Sequence, residues 1–148
     1  MRTIKKIDLR VRREVLAESK EPYNSKIGEP KDVARIAQSV LAGEDRECFL
    51  TFPVDVKNRV LGYVESAKGS VDLCPVDPRE VFRAAIIMGA SGVFLVHNHP
   101  SGDSSPSQED AELTERVVEA GKLLGIPVID HLIVVEDSFY SFAEHGGI

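Results

Sequence analysis

A chain of 148 residues, 43% hydrophobic and 28% charged, has room for one domain with a substantial core and hardly for two. No apolar run approaches the roughly 18 residues of a membrane span, and the basic start MRTIKKIDLRVRRE lacks the apolar stretch of a secretory signal. The net charge of -6 argues against a broad basic face for nucleic acid, and the two cysteines, Cys48 and Cys74, form no CxxC, so we expect a cytoplasmic protein with reduced thiols.

Residues 1–13 carry six cations, Arg2, Lys5, Lys6, Arg10, Arg12 and Arg13, against Asp8 alone, which leaves the remainder near -11. Ile7, Leu9 and Val11 alternate with these charges, the pattern of a solvated edge strand whose cations discourage further pairing. Contact of this arm with nucleic-acid phosphates is the less favoured reading. SKEPYNSKIGEP (Ser19–Pro30) is polar and rich in turn formers, so residues 1–30 read as a basic β-like arm with its connector and 31–148 as the body. Val33, Ile36, Ala37, Val40 and Leu41 recur at helical spacing, and Gly43 stops the helix. ECFLTFPVDVKNRVLGYVE (Glu47–Glu65) predicts a strand pair turning near Lys57-Asn58, with Pro53 marking an edge or a bulge. SVDLC (Ser70–Cys74) predicts a further short strand. In DPREVFRAAIIMGA (Asp77–Ala90), Asp77 can cap a helix, Pro78 suits its first position and Glu80 completes a capping-box pattern. GVFLVH (Gly92–His97) is a continuous apolar run, as in a central strand buried on both faces. A third helix is predicted from Ser107 to Leu124 on Leu113, Val117, Val118, Ala120 and Leu124, closed by Gly125. PVIDHLIVVEDSFYSF (Pro127–Phe142) predicts two closing strands around Asp137-Ser138. This mixed order predicts an α/β or α+β sandwich.

The stretch VHNHPSGDSSPSQED (Val96–Asp110) stands apart. Side chains two apart on a strand share a face. His97 and His99 therefore converge where the apolar strand ends, and Pro100 keeps His99 extended. Ser107 is a natural helix cap, which puts Asp110 in the first turn, able to face back toward the histidines. Two imidazoles and a carboxylate suit zinc at about 2.0–2.2 Å and leave a fourth position open for water. Catalysis then needs another carboxylate to accept the water's proton. Two plainer readings stand beside this one. Ser107 and Asp110 also spell a capping box that needs no metal, and an H-x-H pair can be incidental. The contiguous letters of His97-Asn98-His99 carry no nuclease signal, since the nucleases named for those letters hold them on separate elements.

His-x-His, seven residues, Ser, two residues and Asp resemble the JAMM (MPN-plus) metalloprotease signature over His97–Asp110. PREVFRAA, HNHPSGD, GKLLGI and DHLIV extend the resemblance to the RadC branch of that superfamily, from about Asp32 to the C-terminus. The resemblance implies a curved mixed β-sheet flanked by helices, a JAB/MPN cytidine-deaminase-like α/β (α+β) sandwich, in a short form without an N-terminal helix-hairpin-helix region. It implies one Zn2+ held by His97, His99 and Asp110, with Ser107 bonding the oxyanion or orienting the water. The general base should lie upstream on a strand, where Glu47 in DRECFLTF matches; Glu65 and Glu80 are the alternatives, Glu80 being better accounted for by capping. Strand alternation would then turn Cys48 to the opposite face as packing. His131 reads either as a buried strand histidine with a satisfied hydrogen bond or as support for the site. Asp103 and Glu109 lie nearby without matching a ligand position, and His145 falls in a solvated terminal turn. The implied activity is that of a zinc metallopeptidase cleaving a peptide or isopeptide bond in a protein or peptide, a ubiquitin-like conjugate among the possibilities, with no membrane partner. The rival readings are a DNA-repair-associated protein that binds or processes nucleic acid, and a zinc-stabilised interaction module without catalysis.

Overall fold

Strand-period and helix-period segments alternate along the body and pack as helix, sheet and helices. The structure is a computed structural model that describes residues 3–6, 8, 26–69 and 75–148. Its elements are α1 (Pro30–Val40), β1 (Cys48–Val54), β2 (Val64–Lys68), α2 (Pro78–Met88), β3 (Gly92–Asn98), α3 (Gln108–Leu124), β4 (Val128–Val134) and β5 (Phe139–Ser141). The strands form one mixed sheet in the order β2-β1-β3-β4-β5, in which β3 and β4 run parallel and the other neighbours antiparallel. A parallel pair needs a crossover, and α3 supplies it.

Both faces of the sheet are covered, so β1 and β3 are buried along their whole lengths. Leu50, Phe52, Val54, Phe94 and Val96 pack with Val33, Ala34 and Ala37 of α1. Phe49, Val93 and Leu95 pack on the other face with Val81, Phe82 and Ala85 of α2 and Val117 of α3. The uninterrupted apolar run of Gly92–His97 is thus the mark of the middle strand. Capping follows the expected chemistry. Asp77 accepts from the Arg79 amide at 2.9 Å, Pro78 opens α2, and Gly89 and Gly125 end α2 and α3 in the left-handed conformation that glycine adopts without strain. Among the described residues no helix is long and apolar enough to cross a membrane.

Three expectations change. Pro53 marks neither an edge strand nor a bulge, because β1 pairs on both sides and its one irregularity lies at Phe49/Leu50. The Pro53 carbonyl accepts from the Leu61 amide, so its nitrogen faces that same side, beyond the last β1–β2 pair at Thr51–Val64, where no ladder bond is lost. Glu80 does not close a capping box; it pairs with Arg83 at 2.6 Å, one turn further on. Leu124 is not a core residue of α3, being 47% exposed, while Thr114 and Gly121 occupy the buried stripe with Val117. Of the N-terminal arm, residues 3–6 and 8 are exposed and belong to no strand. The rest of that arm and the strand expected at Ser70–Cys74 lie outside the described residues.

Candidate metal centre

Strand alternation sends Val93, Leu95 and His97 to the α2/α3 face of β3 and Asn98 to the other. His99 follows just past the strand end, its amide donating to the Val134 carbonyl at 3.2 Å. The loop then brings the chain to α3, whose first turn points back at the histidines. The Ser107 hydroxyl accepts from the Asp110 amide at 3.1 Å, and the Asp110 carboxylate accepts from the Ser107 amide at 2.8 Å. The capping box therefore forms, and the same carboxylate also reaches His97 Nε2 at 3.1 Å and His99 Nε2 at 3.2 Å. One geometry forms the capping box and also leaves Asp110 where the metal reading needs it. A carboxylate in the first turn also suits the positive end of the helix dipole.

His97, His99 and Asp110 form a group that could hold a metal ion, with ligand atoms all within 4.8 Å of one another. The chemistry of the donors fits a cation. His99 Nδ1 lies 2.8 Å from the Asp103 carbonyl, which only accepts, so Nδ1 carries the proton and a neutral ring offers Nε2 bare. That nitrogen stands 3.0 Å from His97 Nε2, close to the roughly 3.3 Å edge of a tetrahedral shell with bonds of about 2.0–2.1 Å. Without a metal a proton serves instead: the Asp110 carboxylate, helped by the Asp103 carbonyl and against the effect of burial, holds the His99 pKa above the ordinary value. Burial opposes the charge on Asp110, but bonds from His97, His99 and the Ser107 amide outweigh it and hold this carboxyl well below the usual range.

These groups open into a cavity of about 610 Å³ that Glu47, Phe49, Val76, Ser107, Leu113 and Arg116 also line. Of the three carboxylates weighed as base, Glu47 lines this cavity, with Oε1 3.9 Å from His99 Nε2; Glu65 and Glu80 do not line it. Cys48 is fully buried, and burial pushes its thiol up to about 11. Asp103 meets the site through its backbone carbonyl, Glu109 stands at the cavity wall, and His145 lies exposed in the C-terminal turn, donating to the Ser141 carbonyl at 2.7 Å.

His131 is both a satisfied core histidine and a neighbour of the site. It is fully buried on β4, its Nε2 2.8 Å from His97 Nδ1 and its Nδ1 2.6 Å from Thr114 Oγ1. Burial, then the nearby His97, holds its pKa well below the ordinary value, so the ring is neutral. A β-bulge sets this placement. The β3–β4 register passes from Val93–Val128 to Phe94–Asp130, so Ile129 is the extra residue and the shifted phase puts His131 beside Leu95 on the site face.

Sequence reasoning missed Asn98 and Thr114. The Asn98 side chain accepts from the Cys48 amide at 2.7 Å and donates to the Arg46 carbonyl at 2.8 Å, gripping the backbone on both sides of Glu47. The available signal was an amide in an otherwise apolar buried strand, since such a group needs partners. Thr114 had the weaker signal of standing four residues after Asp110, one turn along the same helix face.

Comparison with known proteins identifies the family. A family described as RadC-like JAB domain matches residues 27–147. The chain is similar to a UPF0758 protein of Geotalea uraniireducens, 50% identical over 101 residues that cover 68% of this chain and 44% of the relative. It is also similar to UPF0758 proteins of Moorella thermoacetica, 46% identical over 80% of this chain and 52% of the relative, and of Methanosarcina mazei, 41% identical over 85% and 55%. The chain thus spans about half the length of the curated relatives it matches. With the match running from Ile27, which packs under α1, to the turn after β5, the chain belongs to the RadC-like JAB domain family.

Proposed function

We propose that this domain is a zinc-dependent hydrolase of the JAMM metalloprotease type, cleaving a peptide or isopeptide bond with water. The observation that carries the reading is the convergence of His97, His99 and Asp110 in a cavity that Glu47 also lines. These three residues would hold the ion, which when bound supplies a Lewis acid and lowers the pKa of a water toward about 7. Glu47 takes a proton from the attacking water and returns it to the leaving amine, a role that suits a carboxylate beside the ligand group but outside it. The Ser107 oxygen is engaged as the cap of α3 while its own proton has no acceptor among the described residues, so the hydroxyl can donate to the oxyanion. The apolar wall of Phe49, Val76 and Leu113 would receive a protein or peptide segment, with lysine-linked conjugates of ubiquitin-like proteins the first class to assay.

The test pairs zinc content after zinc-replete expression with hydrolysis of peptide and isopeptide substrates. Wild type should carry stoichiometric zinc, and His97→Ala and Asp110→Ala should lose it. Glu47→Gln should keep zinc while turnover falls about 10²–10⁴-fold. Wild type without zinc overturns the metal assignment. Zinc-loaded Glu47→Gln with normal turnover overturns the assignment of the base.

A further inference from the structure

Four residues close a ring around the inner side of the candidate metal centre. His97 Nδ1 meets His131 Nε2 at 2.8 Å, and His131 Nδ1 meets Thr114 Oγ1 at 2.6 Å. The Thr114 hydroxyl donates to the Asp110 carbonyl at 2.7 Å, and the Asp110 carboxylate returns to His97 Nε2 at 3.1 Å. His131, Thr114 and His97 are 0%, 1% and 3% exposed, so water does not compete for these bonds.

Along the three contacts from the Asp110 carbonyl to His97 Nδ1 the protons have one consistent order, and the fourth contact, His97 Nε2 to the Asp110 carboxylate, is left for a shared proton or a cation. A carbonyl oxygen only accepts, so the single hydroxyl proton of Thr114 goes to Asp110. The reverse order would leave two bare oxygens in contact at 2.7 Å. Thr114 Oγ1 then has only lone pairs for His131, so His131 Nδ1 carries a proton. The neutral His131 ring presents a bare Nε2, which accepts from His97 Nδ1–H. With that proton on Nδ1, a neutral ring has its lone pair on Nε2, the nitrogen facing His99 and Asp110. The direction is imposed by a main-chain carbonyl of α3 and carried across β4 to β3. An apolar side chain between Phe49 and Phe142, whose rings flank His131 at 5.4 and 4.9 Å, would fill the same space without desolvating a polar ring.

We infer that Thr114 and His131 are positioning residues that lock His97 as its Nδ1–H tautomer, so that its Nε2 lone pair faces the His99–Asp110 pair before a metal arrives. The consequence for metal affinity rests on the zinc reading above; the tautomer itself does not. Long-range 1H–15N NMR of the full chain, stripped of metal and held near pH 8 where an ordinary imidazole is neutral, reads that tautomer. Protonation of His97 at Nδ1 is expected, and protonation at Nε2 alone overturns the inference. Thr114→Val removes the hydroxyl at nearly constant shape. It should weaken Zn2+ binding about 10–100-fold in competition with a chelator, and Thr114→Ser should restore it. Thr114→Val with wild-type Zn2+ affinity overturns the inference. Wild type that shows the Nδ1–H tautomer yet takes up no Zn2+ supports the lock and overturns the zinc reading.

Discussion

Asp110 is held by bonds that ask different things of it, and conservative substitutions separate them. Asparagine keeps an oxygen that can accept from the Ser107 amide, so the start of α3 survives, but it removes the charge that faces His97 and His99. Alanine removes both. Asp110→Ala should therefore be less stable than Asp110→Asn by about 1 kcal/mol, the ordinary worth of a cap, when metal-free samples are unfolded in urea. Zinc competition should find both variants weaker than wild type. Equal stability of the two would show that the cap contributes nothing here. Asn98 supports a second residue-scale prediction. Asn98→Ala strands the buried Cys48 amide and frees the backbone around Glu47. The expected results are a stability loss of about 1–3 kcal/mol and, if Glu47 is the base, a fall in kcat of about 10–100-fold with zinc content unchanged. Loss of stability with normal kcat would confine Asn98 to the fold. The candidate ligand group was legible because its chemistry is local: strand alternation, Pro100 and a capping box bring three side chains together within one stretch of sequence. Asn98 was not legible because its partners, Arg46 and Cys48, lie about 50 residues away, just before and at the start of the neighbouring β1.

At the scale of elements, the site belongs to the β3–α3–β4 unit. The C-terminal end of β3 supplies the imidazoles, the N-terminus of α3 supplies the carboxylate, and parallel β4 slips His131 behind them. This is where open α/β sheets bind ligands, outside the carboxyl ends of their strands. The existence and bounds of these elements followed from periodicity and caps, but their phase did not. The bulge at Ile129 decides which face His131 occupies, and no pattern within PVIDHLIV marks it. The buried stripe of α3 was read incompletely for a related reason. Thr114 is buried because it has a polar partner, and Gly121 because there is no space, so neither registers in an apolar count. A Cβ on Gly121 would meet the Ile126 carbonyl oxygen at 2.6 Å and Phe82 Cζ at 3.2 Å. Helix propensity alone would make Gly121→Ala stabilising by up to about 1 kcal/mol. Overpacking against a backbone oxygen costs about 1–3 kcal/mol, and we expect it to win. A lowered urea midpoint with unchanged zinc binding is the predicted result; a raised midpoint would mean that α3 can shift away from the turn before β4.

Across the whole molecule, a sheet covered on both faces must still close its last strand and its C-terminal turn, and one buried acid does so. Asp130 is 2% exposed. Its Oδ1 accepts from the His131 amide at 2.7 Å and the Ala143 amide at 2.9 Å, while Oδ2 accepts from the Ser141 hydroxyl at 2.5 Å. Burial is the largest influence on this carboxyl and raises its pKa; the three bonds pull the other way without cancelling it. The folded protein therefore holds this proton to a higher pH than the unfolded chain, whose aspartate titrates near 3.8. Between the two values the folded state binds more protons, so this group's contribution to stability falls as pH rises through the window and is fully lost above it. Asp130→Asn keeps an oxygen for both amides and offers Ser141 an N–H, much as a protonated acid would, but does not titrate. Urea unfolding of wild type and Asp130→Asn from about pH 4 to neutrality should show the variant gaining stability relative to wild type as pH rises. The comparison removes the acid sensitivity that the other carboxylates give both proteins. Asp130→Ala sets the opposite bound. It leaves the amides of His131 and Ala143 unpaired in the interior and should lose at least about 2 kcal/mol at every pH. A difference between wild type and Asp130→Asn that does not vary with pH would mean that folding leaves this carboxyl's proton affinity unchanged, and the clamp would then act through its geometry alone.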